Sequence, residues 1–248
     1  DKPLSALYLN TQNRIIQDAL KPFVGVKNGN MASLLDAGDD GFKETFWQTF
    51  EISQLMSLDY RLTTPVLTYL FHRIERAMDG RPTFVVIDEG WLVMLHPVFL
   101  QYWVEFLRTA RKKNACIILA TQSLSDIVKS PFFSVINESC PTKIYLPNPS
   151  ALDADGRVLY EAFGLNERQI EIIAQAQGKR QYYLTSQNTG NRLIDLGLGP
   201  LELAFYGIGA KAGDKAAITG LLAAFGKNWV AQWLESKGLR KEAELWKS

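Results

Sequence analysis

The run Thr83-Phe84-Val85-Val86-Ile87 is β-branched and aromatic almost throughout, and it stops at two acids, Asp88 and Glu89. A short strand that is apolar on both sides fits a parallel sheet, whose strands are covered on both faces. A second continuous apolar run, Ala115 to Ala120, ends in Thr121-Gln122-Ser123. Between the two runs, Phe99, Tyr102, Trp103, Phe106, Leu107 and Ala110 recur at helical spacing and predict the buried face of a helix ending near Lys113. Parallel neighbours need a crossover of about this length, so the segment reads as a βαβ unit. The chain is therefore placed in the α/β class with a mainly parallel sheet.

The rest of the chain is arranged around that unit. Residues 1–45 read as a helical, loop-rich lead-in: Leu7, Ile15, Ile16, Ala19 and Leu20 form an imperfect stripe, ended by Pro22 and a Gly/Asn/Asp-rich stretch. Residues 46–200 form the expected core. Trp47 to Leu55 suggests a short strand and turn. Val66, Leu67, Leu70, Phe71 and Ile74 predict a helix over Thr64 to Met78, stopped by Asp79-Gly80-Arg81-Pro82. Pro141 to Leu146, Gln181 to Thr185 and Arg192 to Leu196 are strand candidates expected to continue the sheet, with helices over Asp153 to Phe163 and Asn166 to Ala174. Residues 201–248 form a helical tail, with helices over Ala216 to Phe225, Trp229 to Leu234 and Arg240 to Trp246. The tail has no heptad pattern, and the chain has no internal repeat.

Composition narrows the class without naming a partner. In 248 residues, 47% are apolar and 27 Lys and Arg face 26 Asp and Glu, which is enough to bury a sizeable core and excludes a disordered chain. The formal charge of +1 argues mildly against a chain built to wrap nucleic acid, although a local basic patch would still bind phosphate. Cys116 and Cys140 lack metal or redox spacing, so a reducing compartment fits. The most apolar window, Pro82 to Leu100, is broken by Asp88, Glu89 and His96, and no membrane span is expected. The start at Asp1, with neither Met nor a signal segment, reads as a piece of a longer chain.

Carboxylates at the end of a buried strand are costly unless they work, and the carboxyl edge of an open α/β sheet is where ligands bind. In a nucleotide hydrolase, Asp88 would hold Mg²⁺, commonly through water, and Glu89 would orient or deprotonate the attacking water. The alternative is that Asp88 caps the following turn and Glu89 is solvated. Gln122, one crossover later, sits where an amide can sense a γ-phosphate, while Thr121 or Ser123 is equally suited to cap the next helix. Arg108 and Arg111 are three apart and share a helix face. They read either as arginine fingers for a phosphate on a neighbouring subunit or, with Lys112 and Lys113, as a solvated cationic helix end. His72 and Glu75 share a face but lack further ligands for a metal. Trp229, Trp233 and Trp246 suit core packing or a docking surface.

Four segments together resemble the C-terminal ATPase domain of the VirB4 family of type IV secretion systems. They are Thr64 to Glu75, the Val85 to Trp91 strand, Phe106 to Lys113, and Ala120 to Ser123, and the likeness runs from about residue 45 to 200. It implies a RecA-like P-loop NTPase core with Asp88 and Glu89 as the Walker B acids, Gln122 as the glutamine motif, and Arg108 and Arg111 in the arginine-finger region. The segment Gln177 to Tyr183 is similar to a downstream family motif, which brings Lys179 and Arg180 toward the nucleotide. The resemblance further implies ATP and Mg²⁺, a homo-oligomer in the hexameric pattern of the family, and work on the cytoplasmic face of a bacterial inner membrane beside other secretion components. That work would power pilus biogenesis and DNA or protein transfer.

The chain departs from this pattern in one respect, because it contains no G-x-x-x-x-G-K-[ST] phosphate loop. Gly220 to Asn228 comes nearest, yet it has an extra residue between its glycines and Asn228 where Ser or Thr must meet Mg²⁺. Gly197-Leu198-Gly199 and Gly207 to Lys211 read as turns. The phosphate loop is expected upstream, so these residues alone are not expected to hydrolyse ATP. Two other readings stay open. One is a DNA-pumping translocase or coupling protein of the same superfamily, and the other is a non-hydrolysing assembly module.

Overall fold

A computed structural model of the chain describes residues 3–25, 35–38, 45–58, 60–88, 97–208 and 213–246. The chain divides into two compact units, Asp1–Pro141 with Arg157–Leu165, and Thr142–Gly156 with Asn166–Ser248. Among the described residues no helix is long and apolar enough to cross a membrane.

The first unit holds the expected βαβ element. Strand β1 (Thr83–Ile87) pairs in parallel with β2 (Ala115–Leu119), from Thr83 opposite Ala115 to Ile87 opposite Leu119. The helix Pro97–Ala110 makes the crossover and tightens into a 3₁₀ turn at Arg111–Lys113. Alternation along a strand sends Val85, Ile87, Ile117 and Leu119 to one face. That face packs into a core with Leu67 and Phe71 of the helix Tyr60–Ala77 and with Trp103, Phe106 and Leu107 of the crossover helix. Phe71 stands edge-on to Trp103 and Phe106, with ring centroids at 5.5 and 5.4 Å. Truncating such a ring to Ala costs about 3–5 kcal/mol. The opposite face is open: Phe84, Val86 and Ile118 are 71%, 64% and 45% exposed. The sequence predicts cover on both faces, and the described fold supplies it on one.

Two local expectations are corrected here. Trp47 to Leu55 is irregular until a single helical turn, Ser53–Met56, which starts where the Glu51 carboxylate accepts the Ser53 N–H at 2.9 Å. Phe46 and Trp47 are exposed, and a lone strand there would have no partner in the described fold. The stripe over Leu4 to Leu20 divides into helices Leu4–Asn10 and Arg14–Leu20, because Asn13 caps the second by accepting from Ile15 N at 2.9 Å. Leu7, Ile15 and Ile16 are exposed, while Tyr8, off the stripe, is buried.

In the second unit the later strands do not extend the parallel pair. They form a separate antiparallel sheet in the order β3 (Thr142–Tyr145), β4 (Gln181–Ser186), β5 (Arg192–Asp195). Only the short turn 187–191 joins β4 to β5, with Gly190 N–H closing on Ser186 O at 3.0 Å, and a connection that short admits antiparallel pairing alone. The helix Glu167–Gln175, started by a reciprocal Asn166–Gln169 capping box, buries Ile170 and Ile173 and contacts β4. Gly156 lies so close to the Pro149–Leu152 turn that a Cβ there would stand 2.2 Å from Ser150 O. The tail packs Ala204, Leu234 and Ala243 together, and the buried Trp233 indole donates to Ala204 O at 2.8 Å. Trp246 is 58% exposed, so the tail tryptophans divide between core and surface.

Candidate functional site

The parallel pair ends in register. Ala120 N–H donates to Ile87 O at 2.9 Å, carrying the ladder one step past β2 and setting Asp88 beside the Ala120-Thr121-Gln122 turn. Thr121 and Ser123 are used locally. Thr121 Oγ1 accepts the Ser123 N–H at 3.1 Å, and Ser123 Oγ accepts the Asp126 N–H at 3.3 Å, capping the helix Leu124–Lys129. The capping role therefore falls to Ser123, and Gln122 stands exposed between the two hydroxyl residues. Asp88 is exposed on the turn that follows β1. Asp88 and Gln122 thus share the carboxyl edge, as the sequence predicts. Glu89 lies outside the described residues.

Arg108 and Arg111 lie toward the other end of the sheet. Thr83 N–H donates to Asn114 O at 3.1 Å, which fixes the Arg111–Lys113 turn beside the start of β1. The strand between the two ends rises by roughly 16 Å at about 3.3 Å per residue. Arg111 therefore belongs to the opposite edge from Asp88, with Arg108 one helical turn before it. Both arginines are exposed, and among the described residues neither forms an ion pair within 4.0 Å.

A polar cluster that the sequence does not announce holds this turn. Glu75 Oε1 accepts from Lys113 Nζ at 2.8 Å, and Glu75 Oε2 accepts from the Tyr102 hydroxyl at 3.0 Å. The Lys113 hydrogen bond is the main influence holding the Glu75 carboxyl below its ordinary pKa, against the opposing effect of burial. Burial, with Glu75 as neighbour, pushes the Tyr102 phenol up to about 12. Glu75 is thus committed to Lys113 and Tyr102 rather than to a metal with His72. Its partners are distant in sequence, so no local spacing marks them. Asn114 follows in the left-handed region, at φ 57°, which suits Asn better than most side chains.

In the second unit, Lys179 and Arg180 occupy a tight turn before β4. Gln181 N–H donates to Gln177 O at 2.9 Å, and Lys179 takes a positive φ of 65°. Arg180 Nε reaches Asp195 Oδ1 and Oδ2 at 2.8 and 3.0 Å, joining the start of β4 to the end of β5. This hydrogen bond raises the guanidinium pKa further. Lys179 is exposed and forms no ion pair among the described residues.

Gly220 to Phe225 lies within the helix Asp214–Phe225, so its N–H groups follow helical geometry and do not form a phosphate loop. Gly199 caps the helix Pro200–Tyr206; part of Gly207 to Lys211 is outside the described residues. Among the described residues no cluster of three His, Cys, Asp or Glu side chains is set to hold a metal. Asp88, an exposed carboxylate at this edge, is the ligand type that suits a hard ion which keeps most of its waters, as Mg²⁺ does.

The chain is thus an α/β protein with a carboxylate and an amide at the carboxyl edge of its parallel pair, the edge at which open α/β sheets bind ligands. No family model matches the chain. It is 45% identical, over 98% of its length, to a probable conjugal transfer protein TrbE of Sinorhizobium fredii, and 44% identical over 96% to the conjugal transfer protein TrbE of Rhizobium radiobacter. The type IV secretion system protein CagE of Helicobacter pylori is 33% identical over 66% of the chain. The chain belongs to the TrbE/VirB4 family of conjugal-transfer and type IV secretion proteins. It spans 36% and 28% of the lengths of the first two relatives.

Proposed function

We infer that this chain is the catalytic-edge portion of an ATP-hydrolysing motor that drives conjugal transfer or type IV secretion. The observation that carries the reading is the shared carboxyl edge, where Ala120 N–H to Ile87 O sets Asp88 opposite Ala120, two residues before Gln122. Asp88 would hold Mg²⁺ through water, and Gln122 would sense the γ-phosphate. The ion, when bound, neutralises charge that develops on the phosphates. Glu89 positions the water and takes its proton. Arg108 and Arg111, placed toward the far edge, serve the site of a neighbouring subunit, which fits a homo-oligomeric ring of six. Lys179 approaches the nucleotide, and the Arg180–Asp195 pair braces its turn. The core spans residues 46–200, and the phosphate loop comes from sequence outside these residues.

The family supports placing the work on the cytoplasmic face of an inner membrane, beside other secretion components, with DNA or protein as the transported cargo. The deciding experiment is steady-state Mg·ATP hydrolysis by the full-length protein and its Glu89→Gln variant across a protein concentration series. Turnover that rises steeply with concentration and is lost in the variant, with nucleotide binding kept, supports the reading. Wild-type turnover in the variant overturns the role of Glu89. DNA-stimulated hydrolysis with steep salt dependence would instead identify a DNA-pumping relative.

A further inference from the structure

The crossover helix ends in four cations, Arg108, Arg111, Lys112 and Lys113, and the fold treats them unequally. Lys113 turns inward to Glu75 at 2.8 Å, with side chains 34% and 28% exposed. Arg108, Arg111 and Lys112 are exposed. Residues two apart do not face each other on a helical turn, so pinning Lys113 to the inner side directs Arg111 outward. Arg108 and Arg111, three apart, share that outer face.

The same turn is gripped from a second side. Asn114 N–H donates to Arg111 O at 3.2 Å, its amide Nδ2 donates to Gly80 O at 3.1 Å, and its carbonyl accepts the Thr83 N–H at 3.1 Å. The Tyr102 hydroxyl occupies the second Glu75 oxygen, which orients the carboxylate toward Lys113. Glu75 therefore anchors one side of Arg111 and Asn114 the other. Holding a charged group in its working orientation before the phosphate arrives avoids an entropic cost at the moment of reaction.

We propose that Glu75 is a positioning residue for Arg108 and Arg111: by drawing Lys113 out of the cationic cluster, it presents the two arginines to the phosphates held by an adjoining subunit. The proposal rests on the motor reading above. Glu75 touches no nucleotide. Its effect appears in turnover and not in a subunit's own affinity for ATP.

The test uses the full-length protein with Glu75→Gln, Lys113→Met, the double variant, and Lys113→Arg. The expected result for either single change is about a tenfold fall in kcat with the KM for Mg·ATP held within about twofold, since displacing a catalytic group by about 1 Å costs up to about a hundredfold. The double variant should be no worse than either single one. Lys113→Arg, which still donates to Glu75, should recover most of the loss. Mixing Glu75→Gln protein with Asp88→Asn protein should restore turnover above that of either alone, because the arginines of one then complete the intact sites of the other. A folding defect shared by the Glu75→Gln subunits would not be repaired by mixing. Unchanged kcat in both single variants, or failure of mixing to restore turnover, overturns the proposal. If Glu75→Gln does not fold, Lys113→Met tests the same contact from its more exposed side. If Arg108→Ala and Arg111→Ala leave turnover intact while Glu89→Gln abolishes it, the positioning role falls and the motor reading stands. Absence of wild-type turnover removes both.

Discussion

The two basic turns, Arg108 to Lys113 in the first unit and Lys179-Arg180 in the second, solve one problem in two ways. In each, a carboxylate takes one cation and leaves a neighbour facing water: Glu75 takes Lys113, and Asp195 takes Arg180. The first carboxylate comes from a different helix and is half-buried with a phenol as second partner. The second comes from the next strand of the same sheet, and its pair with Arg180 is exposed, at 54% and 46%. The contrast separates cations that shape the fold from cations left facing water. A count of basic residues does not make that distinction.

Replacing the outward members should have the largest effect. Arg108→Ala and Arg111→Ala in the full-length protein should lower turnover by about a thousandfold for whichever is the finger, measured by steady-state hydrolysis. A comparable loss in Arg180→Ala, with both of those variants active, would invert the assignment. Lys179→Ala should raise the KM for Mg·ATP by about tenfold, the equivalent of about 1.4 kcal/mol. Lys179→Gly should bind ATP as poorly yet melt no lower than wild type, because Gly accepts a positive φ without the penalty a side chain brings. A lower melting temperature in Lys179→Gly would mean that the lysine serves the fold.

Salt and acid sharpen the comparison with smaller effects. Arg180→Ala should lower the melting temperature slightly at low ionic strength and less at about 1 M salt, a concentration at which the screening length is about 3 Å. The loss in Glu75→Gln should survive the same salt, since its pair is less exposed. The folded state holds Glu75 below its ordinary pKa of 4.5, so its stabilising contribution is complete above that value and is lost as pH falls through the lower folded value. The difference in melting temperature between wild type and Glu75→Gln should therefore shrink as the pH drops below 4.5. A difference that stays constant however far the pH falls below 4.5 would mean that the carboxylate charge contributes nothing.

The parallel pair and its crossover helix are legible in the sequence because apolar runs and helical spacing are local signals, and Val85, Ile87, Trp103 and Phe106 bury as their pattern requires. Asp88 and Gln122 follow, because strand ends carry their chemistry with them. The Glu75 cluster is not legible: Glu75 and Lys113 meet only through the tertiary fold, across 38 residues of chain. The strands β3 to β5 read correctly as strands but not as members of the parallel sheet, since an apolar run does not state what it pairs with. For β4 and β5 that information lies in the length of the connection 187–191 rather than in the composition of either strand. The stripe through Leu7, Ile15 and Ile16 shows the reverse failure, in which a periodic pattern exists without burial.

The separation of Asp88 from Arg111 by the length of one strand has a consequence for symmetry. In the proposed motor a subunit carries its reaction centre at one end and its complement at the other, and such a head-to-tail contact generates a ring when its rotation closes. In such a ring each subunit is both served and server. One Arg108, Arg111 double-defective copy would silence its neighbour's site and leave its own intact, so a single faulty member would interrupt the order of firing at one defined place around the ring.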